Sequence, residues 1–247
     1  MKKTLYLIWG PTSTGKTSYS VSIAKTMGYP VIALDRFQGY PEIMTGSGAP
    51  TMNELQGTDR IYLSENSLNE GIISAEEANT RLKEKISFLS TQRPGIIIEG
   101  GSVSLLVKIM SDNYWSNFSW RIKIFQTPPS DQFHEKAKKR VYSMFFPDNG
   151  RPSILKETSL FFDTYKTVQP LEDIDGYRVI IQYGRDKGLN FHALDNISDK
   201  EKYFLIDLIT DEYFEHALWQ EKNYPGIPSS WSWQACEVDR LPSRTAS

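Results

Sequence analysis

The segment GPTSTGKT, Gly10 to Thr17, constrains this chain more than any other stretch. It matches GxxxxGK(S/T) and lies between a short apolar run, Leu5 to Trp9, and a stretch from Lys16 to Met27 with small and apolar residues at helical spacing. A strand, a glycine-containing turn and a helix in that order make a phosphate cradle. Backbone N–H groups turn inward, the helix start adds positive dipole, and the lysine adds a full charge. Gly10, Thr14 and Gly15 shape this loop, Lys16 carries the charge, and Thr17 offers a hydroxyl to Mg²⁺. Such a site suits a diphosphate or polyphosphate. Kinases, nucleotide hydrolases and transferases with a diphosphate leaving group all use it, so the motif alone does not select the chemistry.

The rest of the chain predicts the setting. Leu5 to Trp9 is continuously apolar, the pattern of a strand buried on both faces of a parallel sheet. Val31 to Leu34 reads as a second strand beside it, ending at Asp35; Gly95 to Glu99 and Arg121 to Phe125 read as a third and fourth. Between them fall helices at Lys16 to Met27, stopped by Gly28, at Ser74 to about Leu89, and near Ser102 to Met110. Ser74 and Glu77 have the spacing of a capping box. Phe37 to Asn69 lacks a sustained period and reads as ligand-carrying loops with short helical pieces.

After Pro128-Pro129 the pattern becomes helical, at Ser130 to Phe146, Ile154 to Lys166, Tyr177 to Tyr183 and Asp199 to Lys222. The expected architecture is therefore α/β: a P-loop NTPase-like parallel sheet flanked by helices over residues 1–147. A smaller C-terminal helical portion over 148–224 would bind substrate, and a Pro/Ser/Trp tail would follow over 225–247. The tail residues Trp231 and Trp233 are read as exposed or packed within the chain.

Charge and cysteine narrow the function classes. The 247 residues carry a formal net charge of −2, which supplies no broad basic field for a nucleic-acid duplex, so nucleic acid is disfavoured as a partner. The single cysteine, Cys236, can form neither an internal disulfide nor a cysteine metal cluster, which fits a reducing cytoplasm. MKKTLYLIWG opens like a signal peptide, but its apolar stretch is too short and runs into the phosphate loop. No run approaches the apolar length of a membrane span, so no membrane is expected. The oligomeric state stays open, a monomer being the simplest reading.

Several side chains stand out as candidates. Asp35 ends a strand where open α/β sheets gather their ligands, so it is a candidate general base or holder of a magnesium-bound water. Arg140 lies in AKKRVYSM, a basic helix whose simplest reading is a solvated face. Tyr213 and His216 are three apart and share a helix face, while His134 and His192 lie too far off in sequence to suggest a metal site. Glu99 ends the third strand, either as a Walker B-like acid or as a partner of loop amides.

Taken in order, GPTSTGKT, LDRFQGYPEIMTGSGAPT (Leu34 to Thr51), ELQGTDRIYL (Glu54 to Leu63), GIISAEEA (Gly71 to Ala78), IIIEGGSVSLL (Ile96 to Leu106), IDGYR (Ile174 to Arg178) and EYFEHA (Glu212 to Ala217) resemble the bacterial adenylate isopentenyltransferases. The P-loop is unspecific, whereas DRxQ followed by TGSGxPT is much more specific. The resemblance implies transfer of a dimethylallyl group, or its hydroxylated relative, from its diphosphate to N6 of AMP in cytokinin biosynthesis. By matching positions it implies Asp35 as the base on N6, with Thr12 and Arg140 stabilising the leaving diphosphate beside Lys16, and Mg²⁺ at Thr17. Ser47, Asp175, Arg178, Tyr213, His216 and Lys222 would line the nucleotide and prenyl pocket. The donor would be dimethylallyl or hydroxymethylbutenyl diphosphate.

The chain departs from that pattern at Ser13, where cysteine is common, at Gly39-Tyr40 and at Ala49; the last two bear on substrate preference. Three alternatives accompany the reading: a tRNA dimethylallyltransferase, a P-loop small-molecule kinase with Arg140 as its lid arginine, and a nucleotide-binding protein without turnover. The tRNA enzymes are longer, with an inserted helical domain that grips the anticodon stem.

Overall fold

The computed structural model describes residues 2–64, 66–148 and 150–236. Among them the strands β1 (Thr4–Trp9), β2 (Val31–Ala33), β3 (Arg60–Ile61), β4 (Gly95–Gly100), β5 (Ser119–Ile124) and β6 (Ser232–Ala235) form one sheet. Its order is β3-β2-β4-β1-β5-β6, and every pairing is parallel. Leu7 pairs with Ile98 on one side and Ile122 on the other. The second strand does not lie beside the P-loop strand as expected, because β4 comes between them. The physical reason is length and polarity: β1 and β4 are buried almost throughout and take central places, while β2 and β3 are too short to do so. All carboxyl ends still point the same way, so the ligand edge is unchanged.

Alternation along β1 divides the core. Leu5, Leu7 and Trp9 pack with α3 (Ala75–Ser90) and α4 (Val103–Ser111), whereas Tyr6 and Ile8 pack with α1 (Lys16–Met27). Gly28 closes α1 by donating its N–H to Ala24 O at 2.8 Å. At the start of α3, Ser74 Oγ accepts from Glu77 N at 3.0 Å, but only this half of the expected capping box forms. Glu77 turns instead to Arg81, 2.7 Å away and one turn along.

A third cluster is helical. It joins α5 (Ser130–Phe145), α6 (Ile154–Tyr165), α7 (Tyr177–Asp186) and α8 (Asp199–Lys222) through Phe133, Val141, Phe161, Tyr177, Ile206 and Ile209. Tyr40 is wholly buried in it, with its hydroxyl donating to Gly71 O at 3.2 Å and accepting from Ile73 N at 2.9 Å. Of the departures noted above, Tyr40 therefore braces a loop rather than facing a ligand.

The two strands that sequence reading missed lie in weakly patterned segments. The region from Phe37 to Asn69 holds the expected short helical pieces, including α2 (Met52–Leu55), but also β3. In the tail, the Trp231 ring stacks on Trp120 with centroids 4.1 Å apart and planes 6° from parallel. Trp231 is 5% exposed, Trp233 is 49% exposed, and Cys236 N donates to Ile122 O at 2.8 Å, so β6 adds to the sheet edge. Residues 237–247 of the expected tail lie outside the described residues. Among the described residues no helix is long and apolar enough to cross a membrane.

Candidate active site

At the carboxyl edge of the sheet lies a cavity of about 490 Å³, within the range of small-ligand sites. Its floor is the phosphate loop. Gly15 takes a left-handed φ of +94° and passes the chain into α1, whose first turn has neither a side-chain cap nor an acidic residue. The first N–H groups of the helix are therefore free to meet an anion. Thr12, Gly15, Lys16 and Thr17 line the cavity. Gly10 does not; a Cβ there would come within 2.6 Å of Phe125 Cβ, so this glycine admits β5 close to the loop. Thr14 is also turned away, with its hydroxyl on Pro11 O at 2.8 Å.

Lys16 Nζ folds back onto Pro11 O at 2.5 Å. Burial lowers its pKa to about 8, with the charge of Arg140 adding to the shift and those of Glu99 and Asp35 opposing it. An anion entering the loop would supply the counter-charge that burial withholds.

Asp35 lies two residues beyond β2 and keeps one side open to the cavity. Its Oδ1 accepts from Phe37 N at 2.7 Å and Gln38 N at 3.3 Å, a local turn that fixes the carboxyl. Burial pushes its pKa up, while these two amides and the Arg60 charge resist. The effect is to move the group toward the range in which a carboxylate accepts a proton usefully.

Arg140 is not on a solvated face. It lines the cavity from α5, and Nη2 donates to Gly48 O at 2.6 Å. Ser47, on the same loop, also lines the cavity, and its buried hydroxyl has no protein partner. That loop is held from behind by Glu157, whose two carboxylate oxygens accept from Thr45 N at 2.7 Å and Gly46 N at 2.9 Å; Tyr177 OH donates to it as well. Glu157 is 2% exposed, and burial raises its pKa to about 7 against those three donors.

From α8, Tyr213 and His216 line the cavity together with Asp175. His216 Nδ1 lies 2.9 Å from Asp175 Oδ2. Burial alone would raise the Asp175 carboxyl, but His216 and Arg178 hold it below the ordinary range. Burial pushes the Tyr213 hydroxyl well up, so it stays a neutral donor.

Two of the expected lining residues are not brought there. Arg178 is half exposed and binds Asp175 and Glu212 at 2.7 and 2.9 Å, so it reaches the cavity only through Asp175. Lys222 is exposed at the last position of α8, and at about 100° per residue it lies half a turn around the helix from Tyr213. Glu99 proves neither a loop-amide acceptor nor a free acid: it pairs with Arg60 at 2.5 Å, both side chains being nearly inaccessible. Arg60 in turn donates to Gln38 Oε1 at 2.9 Å, which ties the pair to the turn carrying Asp35.

Arg60, Glu157 and Gln220 have no local sequence signal, since their partners lie far away in the chain. The start of α4 falls where the sequence places it, near Ser102, but its part in the site was not read: Gly100-Gly101 after a buried strand is a second strand-to-helix turn, and Ser102 to Ser104 line the cavity. A second cavity of about 330 Å³ adjoins the first, sharing Thr17 and Arg140, and is lined in part by Ala49 and Arg151.

Thr17 offers one hydroxyl oxygen, and among the described residues no group of three acidic or histidine side chains could cage a metal. Thr17 would supply one oxygen ligand to a Mg²⁺ that arrived with substrate phosphates, the usual habit of this ion.

The isopentenyl transferase family model matches residues 3–235. The chain is 52% identical to the adenylate dimethylallyltransferase of Pantoea agglomerans pv. gypsophilae, over 94% of this chain and 99% of that one. It is 44% identical to the enzyme of the same name from Agrobacterium fabrum, over 95% and 97%. Among solved structures it is similar to a tRNA isopentenylpyrophosphate transferase from Bacillus halodurans, with a TM-score of 0.67, 15% identity and coverage of 97% and 93%. That likeness concerns the fold. With a phosphate loop, a half-buried carboxylate beside it and relatives matched along nearly their whole length, the chain belongs to the isopentenyl transferase family.

Proposed function

We propose that this protein transfers a dimethylallyl group from dimethylallyl diphosphate to N6 of AMP, releasing diphosphate, as a step of cytokinin biosynthesis in the cytoplasm. The observation that carries the reading is Asp35, with one oxygen committed to the Phe37 and Gln38 amides, in one cavity with Lys16 and Thr17. The names of the relatives above supply the substrates.

The chemistry follows from the groups. The N6 lone pair of adenine is delocalised into the ring, so the amine is a poor nucleophile. As the C–N bond forms, Asp35 takes the N6 proton. The allylic C–O bond breaks with its electron pair leaving on the diphosphate, and the allylic carbon tolerates the positive charge that develops. Lys16, Arg140, the Thr12 hydroxyl and the free amides of the loop neutralise the departing anion. Mg²⁺, held at Thr17 and by the diphosphate, would add charge neutralisation there. The phosphate loop thus grips a leaving group instead of donating a phosphoryl group.

A hydroxymethylbutenyl donor is the second reading, favoured by the Asp175–His216 pair, which offers a hydroxyl polar partners at the cavity wall. The test is to incubate the protein with each prenyl diphosphate and AMP, ADP, ATP or unmodified tRNA, with Mg²⁺ or excess EDTA, and read products by mass spectrometry. Prenylated AMP with released diphosphate, lost in EDTA, is the expected result. Prenylated tRNA alone, phosphoryl transfer from ATP, or no product overturns the proposal.

A further inference from the structure

Gln220 on α8 is 6% exposed, and both ends of its side-chain amide are engaged. Oε1 accepts from Thr12 N at 2.8 Å, and Nε2 donates to Gly101 O at 2.8 Å. This pair of partners fixes the orientation of the amide, because a flip would set N–H against N–H at one end and oxygen against oxygen at the other. The fit leaves no spare room. A Cβ on Gly101 would lie 2.8 Å from Gln220 Nε2 and 2.8 Å from Gly10 O, so glycine is the residue that lets the amide enter between two loops.

The residue after Thr12 shows what this hold achieves. Ser13 takes a φ of +58°, a left-handed conformation uncommon for a residue with a side chain, and its buried hydroxyl has no partner. Such a conformation persists only where its neighbours over-determine it. On one side Gln220 grips Thr12 N; on the other, the Thr14 hydroxyl grips Pro11 O at 2.8 Å. Thr12 itself lines the cavity. We propose that Gln220 is a positioning residue for the leaving-group end of the site: it anchors the Thr12 backbone from α8 so that the Thr12 hydroxyl is presented to the diphosphate. This rests on the reading that the loop receives the diphosphate of a prenyl donor. It also makes the helix that carries Tyr213 and His216 one mechanical unit with the phosphate loop.

The test is a double-mutant cycle on prenyl transfer with Gln220→Met, Thr12→Val and the pair, together with hydrogen exchange of the phosphate-loop amides. Gln220→Met is expected to lower kcat/KM for the prenyl donor by about 10-fold, from the loss of both buried hydrogen bonds of the amide and the stranding of Thr12 N and Gly101 O. The acceptor KM should stay within about twofold. In the Thr12→Val background the same substitution should cost less than about twofold, because it acts through Thr12. The Thr12 amide should exchange faster in Gln220→Met while the amides of β1 stay protected.

Effects that multiply in full across the cycle, or an unchanged Thr12 amide, overturn the inference. If Gln220→Met does not fold, Gly101→Ala crowds the same amide and gives the same readouts. A parent protein that makes no prenylated product overturns the reading of the reaction, and the exchange measurement still decides whether Gln220 holds Thr12.

Discussion

Replacing Glu157 by Gln should flatten the dependence of stability on pH, and the structure supplies the size of the effect. The carboxyl is 2% exposed and its pKa is raised to about 7 in the folded protein, against an ordinary 4.5. Because the proton is bound more tightly in the folded chain than in the unfolded one, the stability from this group is greatest below the ordinary glutamate range. It is lost as the pH rises to about 7, where the folded carboxyl itself ionises. Integrating between those two values gives a loss of roughly 2 to 3 kcal/mol from pH 5 to pH 8 in the parent, absent in Glu157→Gln.

Urea unfolding of both proteins at several pH values, with the slope m held as a check on two-state behaviour, measures the difference directly. The gap in stability between parent and variant should shift by that amount, with the variant gaining on the parent as pH rises. A gap constant to within about 0.5 kcal/mol, a normal measuring error, would refute the account of Glu157 as a buried, proton-binding carboxyl. The matter bears on function because this side chain holds the Thr45 and Gly46 amides, and hence the loop that brings Ser47 to the cavity.

Asp35→Asn should keep binding of AMP and prenyl diphosphate while kcat falls by roughly 10² to 10⁴, the usual worth of a general base; a rate within about threefold of the parent removes the assignment. The free enzyme's kcat/KM for the prenyl donor should decline above about 8 as Lys16 loses its proton, and Lys16→Ala should abolish that alkaline limb; a limb that survives the substitution belongs to another group. His216→Leu should shift preference toward dimethylallyl diphosphate, since a site that hydrogen-bonds a hydroxyl discriminates through its own unpaired groups; equal kcat/KM ratios for the two donors in parent and variant count against it. Trp231→Ala should destabilise by about 3 kcal/mol, the cost of removing a large buried ring, and a change below about 1 kcal/mol in urea unfolding would mean that β6 contributes little to the sheet edge.

What could be read from the sequence was whatever rests on neighbouring residues. The phosphate loop is eight consecutive positions whose turn, helix start and lysine act within one short segment, and the buried strands announce themselves by unbroken apolar runs. Asp35 was legible for the same reason, as an acid just past the end of such a run. The family resemblance carried further, because motifs such as TGSGxPT report a shared site without explaining how it is held.

Tertiary structure decided the contacts between segments far apart in the chain. Arg140 reads as one more cation of a basic helix until α5 packs against α8 and turns it to Gly48. Lys222, by contrast, belongs to the matched region but emerges on the wrong side of α8. The insertion of β4 between β1 and β2, the Arg60–Glu99 pair, the Gln220 amide on the phosphate loop and the stacking of Trp231 on Trp120 all join distant positions. Local pattern encodes which face of an element is apolar, but not which element will cover it. That choice belongs to packing and to the satisfaction of buried polar groups, which are settled only when the whole chain is folded.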